Sequence, residues 1–555
     1  MNVQETLTQM TLREKIGQTM LMLPDKEKEM ELGGGSLREF FRRYPVSGYF
    51  MDWMLFEGVA EADKMKVQLE RIAEYKKNSG QPLIFQQDYE SGVNLPGMTP
   101  FPNEMTLGAA DSEEAAFAYG RAIALESRSA GISWVLHPVA DLNLNRFNPI
   151  TNIRSVSDDP ERAARILRAQ ITGLQENGVA ATIKHFPGDG VDFRDQHLLT
   201  TCNSLSMKDW EPSYGFVYRE LIQCGTAAVM PGHITLPAYQ KEKKHGLYLP
   251  ATLSSELLTG LLKKELGFDG VIISDAMMMG GFRGWYPDRL EGEIQCFLAG
   301  ADMLLWPSYA FLDEVEKRIH DGRIPIERLD DAAGRVLSLK QCFGLLEPGY
   351  EPVRPLRPQE LQCNKETAGK ICRDAVTLLR DRNKLLPISP ERSKHICLVA
   401  VTPHNRKTGD RLLKELQYTQ RLLQQEGFDA DFRHNLLYES DGWEEELSKR
   451  YDLTIFLTAR IPHAPIGPLQ FFNDEAESVW GINAMAGSPV IVISYGDPYL
   501  NDEYFKRIPC CINAYSGTAS MQEAVIEALT GKIPFAGSSP VKLEYSWPVN
   551  MRYHT

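Results

Sequence analysis

The densest polar stretch of the chain is Lys184-His-Phe-Pro-Gly-Asp-Gly-Val-Asp-Phe-Arg-Asp-Gln-His197. Asp195 and His197 stand two residues apart, so in an extended segment they point to one side and can hydrogen-bond. A carboxylate on one imidazole nitrogen fixes the tautomer and stabilises the imidazolium, which leaves the other nitrogen as an acid/base. Gly188 and Gly190 permit positive φ and a close approach of the loop to a ligand. A second candidate is Gly270-Val-Ile-Ile-Ser-Asp-Ala-Met-Met-Met-Gly-Gly281, an apolar run ending on Ser274-Asp275. There a carboxylate can act as a nucleophile. Each feature alone has an ordinary explanation. A lone Asp-x-His is more often a solvated loop, Ser-Asp is a common helix N-cap, and the three methionines read as packing.

Such groups act together only if the fold converges them. Up to about residue 345, short apolar runs alternate with helical patterns. The runs are Gly48–Met51, Leu83–Phe85, Trp134–Leu136, Ala181–Ile183, Ala227–Met230, Val271–Ile273 and Met303–Leu305. Helical patterns include Glu113–Ser129, Asp159–Asn177 and Ser254–Leu266. This alternation predicts parallel strands with right-handed crossovers. Seven visible strands suggest an eight-stranded (β/α)8 barrel with one strand not evident, and an open doubly wound sheet is the alternative. Asp88, Lys184-His185, His233 and Asp275 each come just after such a run. On a barrel, that is the face where enzymes build their sites.

The remainder of the chain sets the frame. Its 555 residues carry a net charge of −14, with 43% hydrophobic and 24% charged residues, which fits a globular protein and excludes disorder. The acidity argues against a nucleic-acid partner. No apolar run approaches the ~20 residues that span a bilayer. Nine cysteines without a CxxC pair point away from a disulfide framework or a structural zinc. No secretory signal is visible at the N-terminus, so the cytoplasm is the expected location. The proline-rich stretch Glu347–Pro358 reads as a linker. The expected organisation is a catalytic barrel over 1–345, a linker over 346–364, and a smaller α/β-sandwich domain over 365–555. Strand candidates in the last are Ile396–Val401, Leu453–Leu457, Val490–Ile493 and Cys510–Ala514.

Together, these segments resemble glycoside hydrolase family 3, specifically its β-N-acetylhexosaminidase branch. That branch is similar in its K-H-F-P-G-H-G motif, four further residues and D-x-H, followed later by an S-D strand end. Here they read Lys184-His-Phe-Pro-Gly-Asp-Gly190, Asp195-Gln-His197 and Ser274-Asp275. Leu136–Asn143, Ile153–Pro160 and Glu265–Gly270 are similar stretches, and the C-terminal part resembles the family's sandwich domain more loosely. The resemblance implies a retaining exo-β-N-acetylglucosaminidase with no cofactor and a small carbohydrate as its partner. Asp275 matches the nucleophile, His197 the general acid/base and Asp195 its partner. Lys184, His185, Asp88 and Arg154 match substrate contacts. Peptidoglycan-recycling fragments are the glycosides that the resemblance suggests for a cytoplasmic member, with chitin-derived oligosaccharides or glycan fragments as the alternatives.

Three departures bear on specificity. Asp189 stands where the family has its second motif histidine. Both arginines of the family's D-x-E-G-G-R-V-x-R stretch are absent from Asp88–Pro96, and Ala276 replaces a frequent acidic residue. The alternatives within the family are a β-N-acetylglucosaminide phosphorylase and a β-glucosidase. From other classes come a metal-dependent barrel hydrolase using His185, His197, His233 and Asp275, and a non-catalytic sugar-binding protein. No H-x-H strand end or H-E-x-x-H helix supports the metal reading, so no metal site is expected.

Overall fold

The computed structural model describes residues 3–402, 406–435, 443–461 and 474–543. They form two compact units. The first comprises 3–99, Ala116–Asn145 and Leu167–Asn364. The second comprises Pro100–Ala115, Arg146–Ile166 and the described residues from Lys365 onward.

Eight short strands organise the first unit: β1 (Met20–Met22), β2 (Gly48–Phe50), β3 (Ile84–Gln87), β4 (Trp134–Val135), β5 (Thr182–Phe186), β6 (Ala228–Pro231), β7 (Val271–Ile272) and β8 (Leu304–Leu305). Strands β8, β1, β2, β3 and β4 pair in that order, all parallel. Strands β5, β6 and β7 form a second parallel set. Parallel bridges Trp134↔Ala180 and Ile273↔Met303 join the two sets, so the ring closes as a (β/α)8 barrel. The strand that the sequence conceals is β1. Met20–Met22 follows the helix Leu12–Gln18 almost directly, so no turn residue announces it. Leu21, Ile84, Trp134, Ala228, Val271 and Met303 belong to one buried cluster. The indole of Trp134 is satisfied there by Thr182 Oγ1 at 2.6 Å.

Helix Glu113–Ser129 has the expected bounds. The pattern at Ser254–Leu266 forms a π-type helix over Glu256–Glu265. Ser254 Oγ accepts from Leu257 N at 3.4 Å, whereas Glu256 turns to the amides of Lys241 and Glu242.

In the second unit the strands are β9 (Thr377–Asp381), β10 (His395–Val401), β11 (Asp429–His434), β12 (Leu453–Thr458), β13 (Val490–Ser494) and β14 (Cys510–Asn513). They form one sheet in the order β9-β14-β13-β12-β10-β11. Only β9 runs antiparallel to its neighbour. The sheet is covered on both faces. Ile396, Leu398 and Ala400 enter one core, and Cys397, Val399 and Val401 the other. The period of two places adjacent Cys510 and Cys511 on opposite faces. None of the nine cysteines is in a disulfide. Within 346–364, helix Pro358–Ala375 begins at a proline, whose ring suits a first helical turn, so only the part before 358 lacks helix or strand. Among the described residues no helix is long and apolar enough to cross a membrane.

One buried acid in the barrel unit makes stability depend on pH. Glu29, on helix Lys26–Leu32, is fully buried and accepts from Tyr75 Oη at 2.7 Å. Burial, only partly offset by Tyr75, Tyr49 and Arg71, pushes its carboxyl up to about 8. The unfolded chain releases this proton near the ordinary glutamate range, while the native state keeps it until about 8. Across that interval the native state binds more protons, so Glu29 costs stability as pH rises, by roughly 1.4 kcal/mol per pH unit at most. E29Q keeps the shape without the titration. Its melting temperature relative to the wild type is expected to climb from pH 5 to pH 8.5, and a difference that does not change with pH would contradict the assignment.

Candidate active site

The loop after β5 is shaped by its glycines. Gly188 and Gly190 have φ of 119° and 101°. A Cβ on Gly188 would meet the Tyr214 ring at 2.1 Å. Buried donors grip the loop backbone: Trp210 Nε1 on Pro187 O at 2.8 Å, Asn203 Nδ2 on Gly188 O at 3.1 Å, and the Tyr214 hydroxyl on Asp189 O. A loop clamped at three successive carbonyls holds the side chains that follow it in defined positions.

Two Asp–His pairs stand on this frame. His197 Nδ1 lies 2.8 Å from Asp195 Oδ1, which also accepts the His197 amide at 2.8 Å. The Asp195 carboxylate is fully buried, while His197 is about one-third exposed. A carboxylate only accepts, so Nδ1 carries a hydrogen and Nε2 is left for chemistry. His185 repeats the arrangement with Asp141, Nδ1 to Oδ2 at 2.7 Å. The other oxygen of Asp141 accepts the amides of His185 and Asp189 at 3.0 and 2.7 Å. Lys184 Nζ, almost fully buried, reaches Asp88 Oδ1 at 3.0 Å and Glu90 Oε1 at 2.7 Å. Lys184, from within β5, thus meets two carboxylates from the segment just after β3.

Asp275 follows the end of β7. It caps no helix, since the next one is Gly280–Arg283. Instead Ser274 Oγ accepts from Leu305 N at 2.9 Å, and Asp275 Oδ1 accepts from Ala276 N at 2.7 Å. Burial by itself raises the Asp275 carboxyl. The imidazoles of His233, His185 and His197 and the Ala276 amide outweigh it, and the net shift is downward. The group is therefore ionised, as a nucleophile must be. His233 is buried, and burial outweighs the neighbouring Asp275 carboxylate and lowers its pKa. Its Nε2 faces the carbonyl of Ala276 at 3.1 Å and must donate, and its Nδ1 pairs with the Thr252 hydroxyl at 2.9 Å. With both ring nitrogens engaged, His233 offers nothing to a metal.

The site residues read from the sequence fall into two groups. Asp88, Lys184, His185, Asp195, His197 and Asp275 lie in the barrel unit, on loops after β3, β5 and β7 or within β5. Lys184 touches Asp88, and Asp275 feels His185 and His197. Arg154 lies in the second unit, on the turn Asn152–Arg154, where its Nη1 donates to Ile150 O at 3.2 Å. Sequence reasoning missed Glu90, Asp141 and Gln196. A signal existed for the first alone, since Glu90 shares the strand-end segment with Asp88.

Comparison with known proteins agrees with this architecture. Residues 11–339 match the family model described as the glycosyl hydrolase family 3 N-terminal domain. A β-N-acetylglucosaminidase/β-glucosidase of Cellulomonas fimi is 30% identical, over 97% of this chain and 95% of its own. Among solved structures, the β-glucoside phosphorylase BglX bound to 2FGlc matches with a TM-score of 0.85 at 29% identity, covering 98% of this chain and 96% of that one. A glycoside hydrolase family 3 β-N-acetylglucosaminidase from a Paenibacillus species matches with a TM-score of 0.79 at 27% identity, covering 97% and 99%. A family model spanning more than half the chain, and a relative aligned over nearly all of it, place this enzyme in glycoside hydrolase family 3.

Proposed function

We propose that this enzyme removes terminal β-linked N-acetylglucosamine by a retaining double displacement. The observation that carries the reading is the buried, ionised Asp275 within the field of the Asp195-backed His197. In the first step a carboxylate oxygen of Asp275 bonds to the anomeric carbon as the glycosidic C–O bond breaks. His197 Nε2 gives its proton to the departing oxygen. In the second step His197 takes a proton from water, which attacks the anomeric carbon and releases Asp275. The paired charges of Lys184, Asp88 and Glu90 suit the hydroxyls of the terminal sugar, with His185 beside them. Arg154 is proposed as a further substrate contact. Cysteines outside any disulfide suit a reducing compartment, and the cytoplasm is the proposed location.

A second reading takes phosphate in place of water. It is favoured by the match to a β-glucoside phosphorylase over nearly the full length of both chains. Physically, the acid/base presents an imidazole, and its carboxylate lies buried behind it, which weakens repulsion of an anionic acceptor. One experiment separates these readings: aryl β-glycosides of N-acetylglucosamine, glucose, xylose and N-acetylgalactosamine, with and without phosphate. Free N-acetylglucosamine formed at the same rate in both buffers is expected. A glycosyl 1-phosphate product would replace hydrolysis by phosphorolysis, and faster turnover of the glucoside would move the substrate assignment.

A further inference from the structure

We infer that Gln196, the middle residue of the tripeptide Asp195-Gln196-His197, is the positioning residue that sets the acid/base imidazole, and that Asp189 is its hydrogen-bond partner. This inference rests on the reading of His197 as the acid/base.

Burial is the first indication. Leu198 and Leu199 are 52% and 37% exposed, yet Gln196 is fully buried. Its side chain turns into the barrel mouth. Gln196 Oε1 accepts from His233 N at 2.8 Å, and its Nε2 donates to Asp189 Oδ2 at 3.1 Å. Its own carbonyl accepts from Gly281 N at 3.3 Å. One residue therefore ties together the loops that follow β5, β6 and β7. The fit is close, since a Cβ on Gly232 would stand 2.9 Å from Gln196 Oε1 and one on Gly281 2.6 Å from its carbonyl oxygen. Residues on either side of a fixed side chain have little freedom, so the grip on Gln196 orients the Asp195 carboxylate and the His197 ring.

The hydrogen-bond polarity is what makes Asp189 a partner. The amide of His233 can only donate, so the Gln196 oxygen must face it and the Gln196 nitrogen must face Asp189. Asp189 therefore has to accept. Its other oxygen accepts from Gly190 N at 2.7 Å, which a carboxylate or an amide oxygen can do equally well. The negative charge that the sequence places beside the acid/base loop is thus directed at a donor.

A double-mutant cycle tests this. Q196E sets two carboxylates against each other, and D189N sets two NH2 groups against each other. In D189N/Q196E the donor and acceptor are exchanged and the bond can re-form. Each single variant is expected to lose about 100-fold in kcat/KM on a phenyl glycoside, the cost of displacing a reacting group by about an ångström. The loss in kcat/KM on a dinitrophenyl glycoside, whose leaving group needs no proton, is expected to be much smaller. The double variant should recover at least tenfold over Q196E. A purely structural role would lower both substrates together with the melting temperature. H197A is run beside the cycle. If H197A shows no leaving-group selectivity, the acid/base reading fails and this inference with it. If H197A is selective while Q196E is not, or if D189N fails to rescue Q196E, the Gln196 inference alone is overturned.

Discussion

Replacing Asp275 with alanine is expected to lower kcat on an aryl β-N-acetylglucosaminide by roughly four to six orders of magnitude, the usual cost of deleting a nucleophile. The fold should survive. The carboxylate makes one bond to the neighbouring Ala276 amide, while the adjacent Ser274, not Asp275, ties the segment to β8. Azide should restore part of the activity to D275A, because a small anion can attack the vacated face and form the α-glycosyl azide while His197 still protonates the leaving oxygen. The wild-type pH profile carries a second expectation. Since the surroundings hold the Asp275 carboxyl below its ordinary value, the native site keeps it ionised, and activity is lost on the acid side only below the usual carboxylate range. Turnover by D275A within tenfold of the wild type would end the nucleophile assignment.

The second large effect belongs to His197. H197A is expected to lose roughly 10²–10⁴-fold in kcat/KM on substrates whose leaving group needs a proton, and far less on a dinitrophenyl glycoside. With the activated substrate the first step survives and the second lacks its base. Rapid-mixing experiments should then show a burst of phenolate equal to the enzyme present, followed by slow turnover. Azide should accelerate that slow phase, because it attacks without giving up a proton. Equal losses on every leaving group, with no burst, would remove His197 from its proposed role.

How much of this was legible in the sequence depended on how strongly each element is buried. Strands covered on both sides, such as β10 and β13, read as unbroken apolar runs and were evident. The two edges of the second sheet, β9 and β11, were not. Asp429-Ala-Asp-Phe-Arg-His434 carries charge at every second position because, among the described residues, one of its sides has no strand partner and much of it meets solvent. At the site, Asp195 and His197 were legible because their partnership is local, two residues apart. Asp141 and Gln196 were not, since their partners come from other strands: 44 residues separate Asp141 from His185, and 37 separate Gln196 from His233. A side chain whose purpose is to hold another across the barrel mouth carries no periodic signature. Asp189 shows the same limit from the other side, since its charge reads as a departure until its donor is seen.

The closure of the barrel has a mechanical consequence. The ring is a five-stranded and a three-stranded sheet, and backbone hydrogen bonds such as Val135 N to Ala180 O and Ser274 N to Met303 O, both at 2.9 Å, carry on across its two seams. Lys184, His185, Asp195, His197 and Asp275 all belong to the three-stranded side, whereas Asp88 and Glu90 belong to the five-stranded side. The ion pairs of Lys184 with Asp88 and Glu90 therefore tie one sheet to the other by side chains as well. They act as a brace across the ring, so a change at Lys184 would loosen the barrel at the same stroke as it altered the candidate site.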